Sequence, residues 1–279
     1  MNELNIRPPA VAGLFYPATA DGLRSQVQQL LDSAEARPLD RIRALIVPHA
    51  GYRYSGPIAA NAFKALAPFG DQVTTVFMLG PAHHVAFSGV ALSAFAAFGT
   101  PLGAMLVDSD CCAQLLAHHP PFVAFERAHE SEHCLEVELP FLQLVLPTAR
   151  LAPLLFGDVA PDVVAPLLIP VLQQTAGALL VVSSDLSHYY PYDQATALDR
   201  DLLAALLAGD QAHVRRRQAC GMLPILTLMA IARQLAWSPH LLDYRNSGDT
   251  AGNRREVVGY AAVAYTAAEM SEQDGGNGL

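Results

Sequence analysis

The chain alternates short apolar runs, rich in β-branched residues, with longer segments whose apolar residues recur at helical spacing. The runs that predict strands are 43–48, 73–80, 88–95, 149–157, 177–184, 240–247 and 257–266. The segments that predict helices are 20–35, 57–66, 108–119, 161–174 and two or three helices within 193–236. Strands that alternate with helices predict an α/β fold, with a mostly parallel sheet covered by helices on both faces.

The composition fits this layered architecture and bears on the partners and on the number of domains. Apolar residues make up 52% of the chain and charged residues 15%, as expected when many segments are covered on both faces. A formal net charge of −9 argues against a nucleic-acid partner. No Gly/Ser-rich linker or internal repeat is present, so we expect one domain over 1–269 and a disordered tail over 270–279.

The same features predict a cytoplasmic protein. The N-terminus lacks the basic start and apolar core of a signal peptide. No apolar run approaches the ~18 residues that a membrane span needs, so a membrane is not expected as a partner. Four cysteines, of which Cys111 and Cys112 are adjacent, do not resemble a disulfide framework. We expect Cys111, Cys112 and Cys134 to be packing residues.

Histidines follow three of the predicted strands, where ligands bind in open α/β sheets. His49 follows the first strand, His83 and His84 follow the second, and His188 follows the strand at 177–184. Neutral imidazole is a ligand for Fe, Cu, Zn and Ni. The pattern therefore predicts a shared metal site built from surface loops, although spacing alone does not choose between His83 and His84.

Two further residues in these loops are candidates for the same site. Asp185 would be either a third ligand or the acceptor that orients His188. Tyr52 lies in the loop that begins at His49 and is a candidate pocket residue.

Cys220 precedes an apolar run that begins near Met222. A thiol at the start of a helix has a lowered pKa, which makes it a better ligand or nucleophile. The alternative is a small buried residue, and spacing alone favours that alternative.

The stretch HESEH at 129–133 matches the helical zinc-binding motif H-E-x-x-H. Prolines stand on both sides of it, and no third ligand is evident downstream. A zinc hydrolase that uses His129, Glu130 and His133 is therefore the weakest of the function hypotheses. Glu132 and His133 remain candidates for lining or supporting the strand-end site.

Five segments, in this order and spacing, resemble the Memo family: IVPHAGYRYSG, LGPAHH, EHCLEVELPFLQ, SSDLSHYYPY and ACG. In bacteria and archaea that family is called AmmeMemoRadiSam system protein B. The likeness extends from VAGLFYP to VGYAAVAYT, essentially the whole chain. Memo proteins resemble class III extradiol dioxygenases, which are non-haem Fe(II) enzymes that open catechol rings, so the resemblance implies a fold of that type.

The resemblance also implies a ligand set. The family's metal-site positions fall on His49, His83 and Cys220, with Asp185 and His188 in the same pocket. A thiolate then replaces the glutamate of the dioxygenase triad, which makes the site softer and more tolerant of copper. We expect Fe(II), with Cu as the alternative. His188 would act as the acid/base or substrate-side histidine, with Asp185 as its partner.

Two main function hypotheses follow. The first is an O₂-dependent oxidase or oxygenase that acts on a small molecule, whose identity the sequence does not reveal. The second is a non-catalytic metal- or partner-binding protein with a vestigial dioxygenase site. The resemblance links bacterial members to a radical-SAM neighbour, which would be the protein partner.

Overall fold

The computed structural model describes residues 5–35 and 37–268. The strands are β1 (Ile6–Arg7), β2 (Ile42–Val47), β3 (Thr75–Pro81), β4 (Val90–Leu92), β5 (Ala97–Thr100), β6 (Gly103–Leu106), β7 (Phe122–Ala124), β8 (Arg150–Phe156), β9 (Ala178–Ser183), β10 (His188–Tyr190), β11 (Trp237–Asn246) and β12 (Val257–Ala267). The helices are α1 (Ala20–Ser33), α2 (Gly56–Leu66), α3 (Ser109–Leu116), α4 (Glu126–Glu130), α5 (Leu139–Val145), α6 (Pro161–Gln174), α7 (Tyr192–Leu207), α8 (Gln211–Val214), α9 (Met222–Gln234) and α10 (Ser247–Thr250).

Nine of these strands form one sheet around a parallel centre. The order is β10-β12-β2-β9-β3-β8-β4-β7, and β11 pairs with β12. The central strands β2, β9, β3 and β8 are parallel to one another, whereas β4 and β12 join this centre in the antiparallel sense. The α/β class is therefore confirmed, and the parallel order applies to the four strands that lie behind the site.

Helices cover the sheet because its central strands are apolar on both faces. Every residue of β3 is buried, so neither face can be left in water. One group of helices, α1, α2 and α5, packs together, and α2 lies against β2 and β12. A second group, α3, α6 and α9, packs together, and α9 lies against β3 and β9. The buried apolar side chains form one continuous core.

The structure bears in a limited way on the predicted C-terminal tail and on the predicted absence of a membrane span. The predicted tail at 270–279 lies outside the described residues. Within 5–35 and 37–268, no helix combines the length and the apolar character needed to cross a bilayer.

Candidate metal centre

The carboxyl ends of β2, β9 and β3 deliver the site residues to one edge of the sheet. Val47 of β2 is in register with Ser183 of β9, so the two segments that follow run side by side. The backbone N–H of His49 donates to Asp185 Oδ1 at 2.9 Å. The strand β3 ends at Pro81 and is followed by His83, whose ring centroid lies 5.3 Å from that of His49.

Cys220 joins this edge from the segment before α9. Its backbone N–H donates to the carbonyl of Asp185 at 3.2 Å, and its Sγ accepts from the N–H of Asp185 at 3.1 Å. As a result, one ligand atom from each of His49, His83 and Cys220 lies within 4.8 Å of the others. The structure thus brings together the three residues that the family resemblance implies as ligands.

The ring of His49 is fixed with its Nε2 lone pair toward the site. Ser183 Oγ donates its proton to the carbonyl of Cys134 at 2.7 Å, so it must accept from His49 Nδ1–H at 2.6 Å. Nε2 is then unprotonated, and it lies 3.4 Å from Cys220 Sγ. Burial and the nearby His83 lower the pKa of His49 to about 3. The imidazole is therefore neutral, as a metal ligand requires.

His49 differs from expectation in its burial. The sequence predicts a surface loop, but the side chain is only 2% exposed. The reason is that the loop does not project from the sheet edge: its backbone hydrogen bonds to Asp185 hold it down against the neighbouring strand end.

Glu132 holds the ring of His83. Its Oε1 lies 2.9 Å from His83 Nδ1, and its Oε2 accepts from the His83 backbone N–H at 2.6 Å. Burial raises the pKa of Glu132, but the hydrogen bonds and charge of His83 outweigh burial and lower it to about 2. The carboxylate can only accept, so Nδ1 carries the proton and Nε2 is left for a metal.

Two other groups of side chains are also close enough to hold an ion, His83 with Glu132 and Cys134, and His84 with Glu132 and His133. Both groups depend on Glu132. In addition to its contact with His83, the Oε1 of Glu132 accepts from the backbone N–H groups of His133 and Cys134. Cys134 Sγ is committed to the carbonyl of Pro81. The group that contains Cys220 is the one of these three that does not need Glu132 as a ligand.

The Cys220 thiol is protonated in this arrangement. Burial and the charge of Asp185 raise its pKa to about 12, which is the opposite of the lowering predicted from a helix start. The backbone N–H groups of Asp185 and Gly221 and the hydroxyl of Ser184 lower this pKa, but burial outweighs them. A cation would have to displace the thiol proton in order to bind. Two imidazoles and one such thiol fit a single soft or borderline metal ion.

His133 adds a third imidazole beside this centre. Its ring centroid lies 4.9 Å from that of His83 and 5.5 Å from that of His49. Burial and the charge of His49 lower the pKa of His133 to about 4. This residue therefore lines the site as a neutral side chain, as its position beside Glu132 predicts.

The predicted pairing of Asp185 with His188 is not formed. The Nδ1 of His188 lies 2.8 Å from the carbonyl of Leu186, whereas Asp185 Oδ1 accepts from the backbone of His49. Asp185 thus holds the loop that carries His49 and does not orient His188. The prediction for Tyr52 also needs correction, because this side chain is buried and its hydroxyl donates to the carbonyl of Val137.

The motif HESEH is split by the fold. Helix α4 ends at Glu130, so the two histidines do not share one helical face. His129 is buried, and its Nε2 lies 3.1 Å from the carbonyl of Ala91. Neither His129 nor Glu130 belongs to a group that could hold a metal within the part of the chain described. This contradicts the ligand set of the zinc-hydrolase alternative.

Arg7 supports the site from a distance that sequence patterns do not reveal. Its guanidinium is fully buried and forms an ion pair with Glu136 at 2.7 Å. It also donates to the backbone carbonyls of His129 and Glu132. Glu136 in turn accepts from Tyr16 and from the backbone N–H groups of 10 and 11. The N-terminal segment is therefore tied to the turn that carries Glu132.

Comparisons with known proteins identify the family. Residues 7–264 match the family model described as Memo-like protein. The MEMO1 family protein of Sulfolobus acidocaldarius is 34% identical over 282 residues, which cover 93% of this chain and 99% of that protein. The MEMO1 family protein of Methanococcoides burtonii is 36% identical over 270 residues, which cover 92% and 99%.

A solved structure is similar in fold. The crystal structure of an uncharacterized protein from Escherichia coli K12 aligns with a TM-score of 0.51 at 14% identity, covering 80% of this chain and 99% of that one. The family model and the curated relatives both extend over nearly the whole chain, and the chain therefore belongs to the Memo family.

Proposed function

We propose that this protein is a mononuclear metal-dependent oxidoreductase with His49, His83 and Cys220 as ligands. The observation that carries the proposal is the convergence of one donor atom from each residue within 4.8 Å. It is supported by the buried acceptors, Ser183 and Glu132, that leave both imidazole Nε2 atoms free. Such preorganisation around both histidines is typical of metal sites.

The likeness to class III extradiol dioxygenases favours Fe(II), with Cu as the alternative. Imidazole suits both ions, and a thiolate shifts the preference toward the softer one. When bound, either ion supplies one-electron and O₂ chemistry that no protein side chain provides. A redox activity is therefore a better match than hydrolysis.

His188 is the residue that would move protons at this site. It is half-buried, and the carbonyl of Leu186 can only accept, so Nδ1 carries the ring proton. Nε2 is the ring atom that this hydrogen bond leaves free. His188 lies close enough to His49 to contribute to the lowered pKa of that residue. A side chain so placed can take a proton from a bound molecule at Nε2.

A non-catalytic metal-binding protein is the second candidate. One observation favours it: His49 is buried and Cys220 is half-buried, and a thiolate–imidazole set shielded from water retains soft ions tightly. The function would then be to retain the metal ion without turning over a substrate, so that the protein stores the ion or signals its presence to a partner.

The test is anaerobic loading with Fe(II), followed by metal analysis and exposure to O₂. His49→Ala should lose the bound ion, whereas His84→Ala, which removes a neighbouring imidazole outside the ligand set, should keep it. Oxygen consumption by the loaded wild type supports the oxidoreductase, and a retained ion without consumption supports the second candidate. Full metal content in His49→Ala would overturn both.

A further inference from the structure

A cleft of about 420 Å³ opens beside Cys220 at the carboxyl edge of the sheet. This is within the range of ~300–1,000 Å³ that is typical of small-molecule sites. Its walls come from the segment after β3, the end of β8 and the start of α9. The lining residues are 81–82, 85–87, 156–158, Cys220 and 222–224. Cys220 is therefore a wall of the cleft and a member of the proposed ligand set.

The two loops of the cleft are fixed to each other. The backbone N–H of Asp158 donates to the carbonyl of Phe87 at 2.8 Å, and Gly89 N–H donates to the carbonyl of Asp158 at 3.1 Å. A Cβ at Gly157 would lie 2.2 Å from the Phe87 carbonyl oxygen, so this close approach requires glycine. The positions of Phe87 and Asp158 are thus set before a ligand arrives, which lowers the entropic cost of binding.

The lining is apolar except at one place. Phe87, Phe156, Met222 and Leu223 are among the apolar residues of the wall. Asp158 is the one charged residue of the lining, and its carboxylate makes no hydrogen bond or ion pair with any other described residue. An apolar cleft with a single free carboxylate matches a hydrocarbon body that carries a positive charge.

We propose that this cleft is the substrate site of the metal centre and that it binds an apolar primary amine. The role of the cleft as a substrate site rests on the proposed function, whereas the binding of an amine in the cleft does not. The hydrocarbon part would lie against Phe87 and Met222, and the ammonium would pair with Asp158. The start of α9 adds a partial positive charge of about +0.5, which favours an anion. The full negative charge of Asp158 outweighs it.

The test uses three probes that share a phenethyl group: phenethylamine, 2-phenylethanol and 3-phenylpropionate. Calorimetric titration of the metal-free wild-type protein should rank the amine first and the acid last. Because an exposed ion pair contributes ~0.2–1 kcal/mol, the amine should bind roughly 1.4- to 5-fold more tightly than the alcohol. Asp158→Asn should remove this preference and leave the affinity for the alcohol unchanged.

Two further variants complete the design. Met222→Trp fills the cleft and should weaken all three probes by roughly tenfold or more, with circular dichroism as the check on folding. Asp162→Asn makes the same substitution at an exposed aspartate of α6 outside the lining, and should change nothing. Because binding is measured without metal, a failure of the metal hypothesis leaves this result intact. Equal affinity for amine and acid, tighter binding of the acid, or full binding by Met222→Trp overturns the proposal.

Discussion

Replacing Glu132 by glutamine tests how the site holds His83. The carboxylate Oε1 accepts from His83 Nδ1 and from the N–H groups of His133 and Cys134, and Oε2 accepts from the N–H of His83. A glutamine has one accepting oxygen and one donating NH₂ group. Its least costly orientation keeps the oxygen at the Oε1 position, which sets the NH₂ group against the His83 N–H.

The expected cost follows from this geometry. One charge-assisted hydrogen bond is lost, so the free energy of unfolding should fall by about 1.5–3 kcal/mol. The neutral amide also accepts more weakly from His83 Nδ1, which lowers the basicity of Nε2. Metal affinity should therefore fall by roughly 10- to 100-fold, about 1.4–2.7 kcal/mol.

Urea denaturation measures the first quantity, and competition with a chromophoric chelator for Fe(II) measures the second. Glu126→Gln is the matched control, because Glu126 accepts from Ser93 Oγ and from the N–H of Ala94, outside the metal centre. It should lose stability without losing metal affinity. A folded Glu132→Gln variant with wild-type metal affinity would refute the role assigned to this carboxylate.

Three other outcomes are expected. In metal-free protein the Cys220 thiol should react with iodoacetamide far more slowly than in urea, because burial and Asp185 raise its pKa to about 12; peptide mass spectrometry would contradict this by finding equal rates. Burial lowers the pKa of His129 from 6.5 to about 4, so below pH ~6.5 the unfolded chain binds more protons. The free energy of unfolding should therefore fall by at most ~3 kcal/mol as the pH is lowered from ~6.5 to ~4. In urea titrations, the stability of His129→Gln should depend less strongly on pH. Arg7→Met should cost about 3–5 kcal/mol, because Glu136 is left buried without its partner; a loss below ~1 kcal/mol by urea denaturation would contradict this.

The sequence is informative where apolar runs are long. Strands β2, β3 and β9 have six or seven residues each, and their carboxyl ends lead directly to His49, His83 and Asp185. Helix α6 has the predicted bounds, 161–174. By contrast, β1, β7 and β10 have two or three residues, which is too short for any periodicity to be recognised.

The supporting residues escape prediction for a different reason. Ser183 is the last residue of β9, and in the sequence it is only part of an apolar strand. It orients His49 because its hydroxyl donates a hydrogen bond to the carbonyl of Cys134, 49 positions away. Arg7 meets Glu136 at a separation of 129 positions. The raised pKa of Cys220 depends on burial by the whole sheet edge. Such roles arise from tertiary packing, which no local pattern encodes.

The parallel centre of the sheet also sets the order in which the metal centre can be completed during synthesis. Cys220 is translated 171 positions after His49, which takes roughly 10–30 s at about 5–20 residues per second. Strand β12, which pairs with β2 on the side away from β9, is translated later still. A growing chain therefore carries its imidazoles without its thiol, and the proposed ligand set is complete only after Cys220 has been made.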